Sequence, residues 1–138
     1  MKILMVEDER MTRIALTGTL RKEGHEVLPC PDGHTAIAAL DNNGFDVVLT
    51  DLNIPGPDGI EILRYAVQKD PKIKVIIMTA YASTETAVEA LRIGAYDYLT
   101  KPFQPDEVLA RIGHIANLLQ VQEENRTLKR RIADISDR

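Results

Sequence analysis

The sequence predicts a doubly wound α/β domain, in which helices cover both faces of a five-stranded parallel sheet. Five short apolar runs follow one another along the chain. Stretches of about a dozen residues with the apolar spacing of amphipathic helices separate them. Most of the runs are continuously apolar rather than alternating, which is typical of parallel strands buried on both faces. They are residues 3–6, 27–28, 47–50, 75–78 and 96–99.

Local signals place the ends of the helices between these runs. Asp58 is a candidate N-cap with Glu61 three residues later, and Ser83 directly precedes the next predicted helix. Pro105 is expected at the start of the last helix, and Gly24 is expected just after the end of the first. These signals predict five helices that alternate with the five strands.

Composition limits the functions open to these 138 residues, of which 44% are apolar, enough for one core. The single cysteine, Cys30, excludes an internal disulfide, and no apolar run is long enough to cross a membrane. We therefore expect a cytoplasmic protein with no membrane contact. The formal net charge of −4 argues against direct contact with nucleic acid, because phosphates require a basic surface.

Polar or charged side chains follow four of the five apolar runs. In an open parallel sheet, ligands bind outside the carboxyl ends of the strands. We therefore expect these side chains to meet along one edge of the sheet. They are Glu7 and Asp8 after the first run, Asp51 after the third, Thr79 after the fourth and Lys101 after the fifth.

Three carboxylates at one edge predict a divalent cation. Like charges at close range repel by roughly 4 kcal/mol per pair at an effective dielectric of about 20. Mg²⁺ relieves this repulsion and prefers carboxylate, carbonyl, water and phosphate oxygens. We expect a Mg²⁺ site built from Asp8 and Asp51, with Glu7 held nearby through water. Asp51 can then act as a nucleophile that forms an aspartyl phosphate, while Lys101 and Thr79 contact the phosphoryl group.

Four strings in this order resemble the receiver domain of bacterial two-component response regulators. They are VEDE (6–9), TDLNIPGPDG (50–59), MTAY (78–81) and YLTKPF (98–103). The resemblance covers residues 1–116, the predicted receiver domain. It implies a flavodoxin-like fold with strand order 2-1-3-4-5, Mg²⁺ as cofactor and a sensor histidine kinase as phosphoryl donor. It also implies a signalling protein that catalyses only its own phosphorylation and dephosphorylation, and not an enzyme with an external substrate.

The resemblance implies a role for each matching acidic residue and for one amide. Asp51 matches the phosphoacceptor of the family. Glu7 and Asp8 match the acidic pair that holds the metal. Asn53 matches the residue whose backbone carbonyl completes the metal shell.

Further roles follow from the last two strings. Thr79 and Lys101 match the pair that senses the phosphoryl group, and Tyr98 matches the aromatic switch residue, with plain edge packing as the alternative. The Lys101–Pro102 peptide bond is expected to be cis, a form mostly confined to bonds that precede proline. Tyr81 occupies a position that varies in the family, where a bulky ring could slow dephosphorylation.

Beyond residue 116 the sequence predicts a coiled-coil linker, residues 117–138. The apolar spacing alternates between three and four residues, and Asn125 falls at an a position, which favours a parallel two-stranded arrangement. We therefore expect a homodimer in which the receiver face assists the coiled coil; a single helix docked on its own domain is the alternative. The heptad positions are Leu118, Val121, Asn125, Leu128, Ile132 and Ile135.

The string ENRTLKRRI (124–132) resembles the linker of the nitrogen-regulator (NtrC) class of transcriptional activators. In that class a receiver precedes an ATPase module and a DNA-binding helix-turn-helix. The resemblance implies that this segment leads toward an output domain of that kind, which is absent from the chain. Phosphorylation would then control the dimer arrangement and, through it, transcription.

Three other functions share part of the pattern. A haloacid-dehalogenase-like phosphohydrolase also places an aspartate, a hydroxyl, a lysine and an acidic pair around Mg²⁺, but it needs an aspartate where this chain has Asn53. A flavodoxin-like flavin carrier has the same fold class, yet no phosphate-binding loop follows the first strand. A receiver kept only as a dimer module would be expected to have lost Asp51 or Lys101.

Overall fold

The computed structural model describes residues 1–80 and 84–136. Tyr81 and Ser83, for which roles were predicted, lie outside the described residues. Strands and helices alternate strictly along the rest of the chain. The elements are β1 (Lys2–Val6), α1 (Arg10–Lys22), β2 (Glu26–Cys30), α2 (Gly33–Asn42), β3 (Val47–Asp51), α3 (Gly59–Lys69), β4 (Lys74–Thr79), α4 (Thr84–Ile93), β5 (Asp97–Thr100) and α5 (Pro105–Ser136).

The strands form one parallel sheet with the order β2-β1-β3-β4-β5. The predicted fold class and strand order are confirmed. Strand order reverses between β1 and β3, because the chain first moves outward to β2 and then returns past β1. Open α/β sheets bind ligands at such a reversal. In the register of β3 and β4, Asp51 lies opposite Met78, one residue before the end of β4.

Both faces of the sheet are buried, which explains why its strands are continuously apolar. On one face, Leu4 and Val6 of β1 belong to a core cluster that includes buried residues of α2, α3 and α4. The alternate residues Ile3 and Met5 point to the other face and are also fully buried. Helix α1, which contacts β1 and β2, buries Leu20. The predicted layering of helices around the sheet is therefore present.

Most of the predicted helix ends match the structure. The Asp58 carboxylate accepts a hydrogen bond from the Glu61 N–H at 3.0 Å and caps α3. Gly24 follows α1 with a φ of 90°, a left-handed conformation that glycine adopts at little cost. Helix α5 begins at Pro105. Short-range signals were sufficient for these boundaries.

The largest difference between predicted and observed strands concerns β2, which spans Glu26–Cys30 instead of residues 27–28 alone. The strand includes Pro29, which lacks an N–H and argues against a central strand. Because β2 forms an edge of the sheet, it can accommodate a proline whose missing donor would face solvent. Pro29 stands opposite Met5 of β1.

The chain divides into two compact units, Met1–Pro105 and Asp106–Arg138. The first contains the whole sheet and helices α1 to α4, and the second contains α5 from Asp106 onward. Helix α5 continues without a break across residue 116, where the linker was predicted to begin. Among the described residues, no helix combines the length and the apolar character that a membrane span requires.

Candidate functional site

The carboxyl ends of the strands bring the predicted site residues to one edge of the sheet. Asp51 and Thr79 are the last residues of β3 and β4, and Glu7 directly follows β1. Carboxylate oxygens of Glu7, Asp8 and Asp51 lie within 4.8 Å of one another. Glu7 and Asp51 are buried, whereas Asp8 is exposed. The acid cluster therefore combines two shielded carboxylates with one that faces solvent.

Backbone hydrogen bonds fix the first residues after the strands. The Glu7 N–H donates to the Cys30 carbonyl at 3.0 Å, which continues the pairing of β1 with β2 by one residue. The Lys101 N–H donates to the Thr79 carbonyl at 2.8 Å and does the same for β5 and β4. Because the ladder extends past the strands, the side chains of Glu7 and Lys101 start from rigid backbone positions.

The ammonium group of Lys101 lies between the two buried carboxylates. Its Nζ is 2.7 Å from Glu7 Oε1 and 2.6 Å from Asp51 Oδ2. Burial alone would lower the pKa of Lys101, but hydrogen bonds to Asp51 and Glu7 raise it. The lysine is thus held as a cation and relieves the repulsion between the acids. The sequence had predicted a metal ion alone for this task.

Glu7 is the most buried acid of the cluster, with an exposed fraction of 0%. Burial raises the pKa of Glu7 to about 7, although the hydrogen bond from Lys101 acts in the opposite direction. Its Oε1 accepts from Lys101, while its Oε2 is buried and has no hydrogen-bond partner among the residues that the structure describes. A buried acceptor left without a donor costs about 1–3 kcal/mol.

The donor set of the acid cluster fits a hard divalent cation. Mg²⁺ binds through one or two carboxylates and keeps several waters, and a metal-bound water could donate to Glu7 Oε2. The Asn53 N–H donates to Asp51 Oδ1 at 3.1 Å, so the backbone of Asn53 is held close to the cluster. Asp8 and Asp51, together with Glu7, therefore offer a suitable oxygen site.

An open cavity of about 350 Å³ adjoins the lysine side of the cluster. The peptide bond between Lys101 and Pro102 is cis, the form expected from the resemblance. Thr79 is fully buried at the end of β4. The residues that line the cavity are Thr12, Ala80, Lys101, Pro102 and Phe103.

Tyr98 of β5 is partly buried and packs against the core cluster of the sheet. Its hydroxyl oxygen is buried and has no hydrogen-bond partner within residues 1–80 and 84–136. Burial raises the pKa of Tyr98. The structure places the ring inward, and its role as a switch stays a prediction.

Sequence reasoning missed two kinds of residue that support the site. Arg13 Nη1 donates to the backbone carbonyls of Glu7 at 2.9 Å and of Asp8 at 3.3 Å, and so holds the acidic loop. Gly33 and Gly59, at the starts of α2 and α3, lie very close to the loop after β3. The sequence did offer one signal for these two glycines. Glycine is a poor helix former, so a glycine at the first position of a predicted helix indicates a special structural reason for its presence.

Fold and site together define a class: a doubly wound α/β domain with an acid cluster and a lysine at the carboxyl ends of its strands. The sequence model described as the response regulator receiver domain matches residues 3–113. The chain belongs to this family. The resemblance drawn from its four sequence strings is therefore confirmed.

The relatives of the chain include regulators of the NtrC class. Response regulator protein FleR of Pseudomonas aeruginosa is 39% identical over 125 residues, which cover 90% of this chain and 26% of FleR. DNA-binding transcriptional regulator NtrC of Salmonella typhimurium is 35% identical over 127 residues, or 92% of this chain and 27% of NtrC. The chain thus spans about a quarter of the length of these curated relatives.

Solved structures agree with this assignment. A CheY-like response regulator receiver domain protein from Methanospirillum hungatei matches the structure with a TM-score of 0.84 and 30% sequence identity. The match covers 88% of this chain and 97% of that protein. The fold of the present chain is therefore that of a receiver domain.

Proposed function

We propose that the chain accepts a phosphoryl group on Asp51 from a phosphohistidine of a sensor histidine kinase, in a reaction that requires Mg²⁺. The observation that carries this proposal is the position of Asp51 within the acid cluster and beside the partly buried ammonium group of Lys101. Lys101 Nζ lies 2.6 Å from Asp51 Oδ2, and the carboxylates of Glu7 and Asp8 lie within 4.8 Å. Membership of the receiver family supports the same chemistry.

Asp51 is suited to act as the nucleophile. Its carboxylate is anchored at both oxygens, by Lys101 at Oδ2 and by the Asn53 N–H at Oδ1. One oxygen supplies the electron pair of the new O–P bond, and the N–P bond of the phosphohistidine breaks with its electrons returning to the imidazole ring. Rigid anchoring favours this transfer, because phosphoryl transfer depends mainly on positioning and charge.

Lys101 and Thr79 would stabilise the transferred group. As Asp51 becomes an acyl phosphate, its negative charge moves to the phosphoryl oxygens. The ammonium group of Lys101 is close enough to contact these oxygens. Thr79 offers a hydroxyl donor at the neighbouring strand end. Asp8, Asp51 and the Asn53 carbonyl would hold Mg²⁺, with Glu7 engaged through water. The metal would supply positive charge that neutralises the phosphoryl oxygens.

The switch that follows would involve Tyr98. Movement of Thr79 toward the phosphoryl group would open space beside the partly buried ring of Tyr98. The two arrangements must differ by only a few kcal/mol if one phosphoryl group is to shift their populations.

We further propose that residues 117–138 form a linker that dimerises as a parallel coiled coil. The apolar side chains at three of the predicted heptad positions are exposed: Val121 by 52%, Leu128 by 53% and Ile132 by 64%. A second copy of the helix would cover this stripe. In the full-length protein, the dimer arrangement would control an output domain with ATPase and DNA-binding modules, as the resemblance to the NtrC class implies.

The proposal is tested by incubating the chain with Mg²⁺ and acetyl phosphate and measuring its intact mass. We expect one added phosphoryl group, which is absent without Mg²⁺ and absent in Asp51→Asn. As a matched control, Asp41→Asn removes an exposed acid outside the cluster and should keep the addition. Continuous release of phosphate from phosphate esters would instead favour a phosphohydrolase.

A further inference from the structure

The loop that follows Asp51 makes an unusually close contact with the start of α2. Gly33, the first residue of α2, is buried, and its N–H donates to the Pro55 carbonyl at 3.0 Å. A methyl group built on Gly33 would lie 1.9 Å from the Pro57 carbonyl oxygen and 2.7 Å from its carbon. These distances are far below van der Waals contact. A side chain at position 33 would therefore displace either the loop or the helix.

A second contact secures the same segment, Pro55–Pro57, which we call the proline loop. The ring of His34 lies against Gly56, since a methyl group on Gly56 would be 2.8 Å from His34 Cδ2. Gly56 has a φ of 77°, in the left-handed region that favours glycine. The first two residues of α2 thus contact the proline loop along its whole length.

The start of α2 is rigid in its own right. The Asp32 carboxylate accepts hydrogen bonds from the N–H and the hydroxyl of Thr35, at 2.8 and 2.7 Å, and so caps the helix. This cap does not involve the proline loop. The helix can therefore act as a fixed support against which the loop is placed.

The proline loop is short and tied to the site at both ends. Asn53, whose N–H donates to Asp51 Oδ1, precedes Pro55 by two residues. On the other side, the Gly59 N–H donates to the Leu52 carbonyl at 2.9 Å. Because these ends are fixed and the proline loop is short, few residues can absorb a displacement of the loop. Such a displacement would therefore also move the backbone of Asn53.

We propose that Gly33 is a positioning residue for the metal site. Its missing side chain lets α2 approach the proline loop closely enough to fix the Asn53 carbonyl beside Asp51. This inference rests on the proposed function, because it takes that carbonyl as a ligand of Mg²⁺. Gly33 itself touches neither the metal nor the phosphoryl group in this account.

The first test compares Mg²⁺ binding by Gly33→Ala and Gly18→Ala, measured by calorimetric titration without a phosphodonor. Gly18 lies within α1, and apart from its chain neighbours and the nearby backbone of that helix, a methyl group there would meet no described atom within 4 Å. We expect the dissociation constant to rise about tenfold in Gly33→Ala, the scale on which groups that orient metal ligands act. Gly18→Ala should bind as the unchanged chain does. Far-ultraviolet circular dichroism establishes that both variants are folded at the titration temperature.

The second test uses the unchanged chain and so does not depend on a variant that folds. If the proline loop and the metal are coupled, Mg²⁺ must protect the hydrogen bond from Gly33 to Pro55. We expect saturating Mg²⁺ to slow amide exchange of Gly33 about threefold or more. The Thr35 amide, which is bonded to Asp32 at the same end of α2, should exchange at an unchanged rate.

The outcomes separate the two proposals. A folded Gly33→Ala that binds Mg²⁺ as tightly as the unchanged chain, or equal slowing of the Gly33 and Thr35 amides, would overturn the positioning role and leave the proposed function intact. An unchanged chain with no affinity for Mg²⁺ would overturn both.

Discussion

The strands of the sheet and the heptad stripe of α5 are both apolar in sequence but are buried to very different degrees. Val48 and Leu49 of β3 are 0% exposed, because helices or neighbouring strands surround them. Single exposed apolar residues are common on protein surfaces, but three at heptad spacing are typical of a seam between helices. The sheet therefore completes its core within one chain, whereas the stripe is the surface on which we propose that a second chain packs. The stripe residues are Val121, Leu128 and Ile132, each at least half exposed.

The most direct test of this contrast is to replace one leucine in each region by alanine. Leu49→Ala should lower the free energy of unfolding by about 2–5 kcal/mol, because it leaves a cavity in a closed core. Leu128→Ala should change it by less than about 1 kcal/mol in the monomer, because the side chain is 53% exposed. Urea unfolding at a concentration where the chain is monomeric measures both. Similar losses at the two positions would refute the contrast.

The same two regions can also be compared by the rate at which a cysteine thiol in each is alkylated. Cys30 at the end of β2 is 1% exposed, and burial raises the pKa of its thiol to about 11. Its alkylation by iodoacetamide at pH 8 should be about 100-fold slower than that of a cysteine placed in the stripe by Leu128→Cys with Cys30→Ser. Mass spectrometry follows both reactions. Comparable rates in the native protein would mean that the β2 edge opens readily.

Burial at the strand ends also predicts a dependence on pH. The pKa of Glu7 is about 7 in the folded chain, raised by burial from an ordinary value of 4.5. The folded state therefore keeps a proton between these values that the unfolded chain has lost, so ionisation of Glu7 lowers stability as pH rises from about 5 to 7. Glu7→Gln should remove this loss.

We expect the stability of Glu7→Gln relative to the unchanged chain to increase by roughly 1–3 kcal/mol from pH 5 to pH 8, from the size of the pKa shift. Urea unfolding at several pH values without Mg²⁺ provides the measurement. The change with pH is the informative quantity, since the substitution also alters the contact with Lys101 at every pH. A difference that stays constant or shrinks with rising pH would contradict the assignment.

The smallest expected effect concerns association through the stripe. Leu128→Glu places a charge at a heptad position and should weaken dimerisation about tenfold, equivalent to about 1.4 kcal/mol. Ile14→Glu is a matched control, because Ile14 is 54% exposed on α1 and lies outside the stripe. Analytical ultracentrifugation over a range of concentrations measures both. Weakening by the α1 variant alone would place the interface elsewhere.

The features predictable from the sequence were those with short-range signals. The Asp58 cap and the apolar strands depend on residues a few positions apart, and the site residues became predictable because parallel strands end at one edge. The full length of β2 was not predictable, because the effect of Pro29 depends on whether its strand is an edge.

Contacts between segments that are distant in sequence were also not predictable. The position of Lys101 between two carboxylates, and the support of the proline loop by Gly33, join residues far apart in sequence. A single sequence carries no pattern that pairs such residues. Chemistry could predict that the acids need a cation, but it could not show that a side chain of the same chain already provides one.

The proposed function depends on Asp51 as the phosphoacceptor at the edge of the sheet. Reduction with borohydride after incubation with acetyl phosphate and Mg²⁺ converts an aspartyl phosphate to homoserine, which tandem mass spectrometry can locate in the sequence. We predict homoserine at position 51, formed only when Mg²⁺ and acetyl phosphate are both present. Homoserine at another aspartate, or none at all under these conditions, would contradict the account.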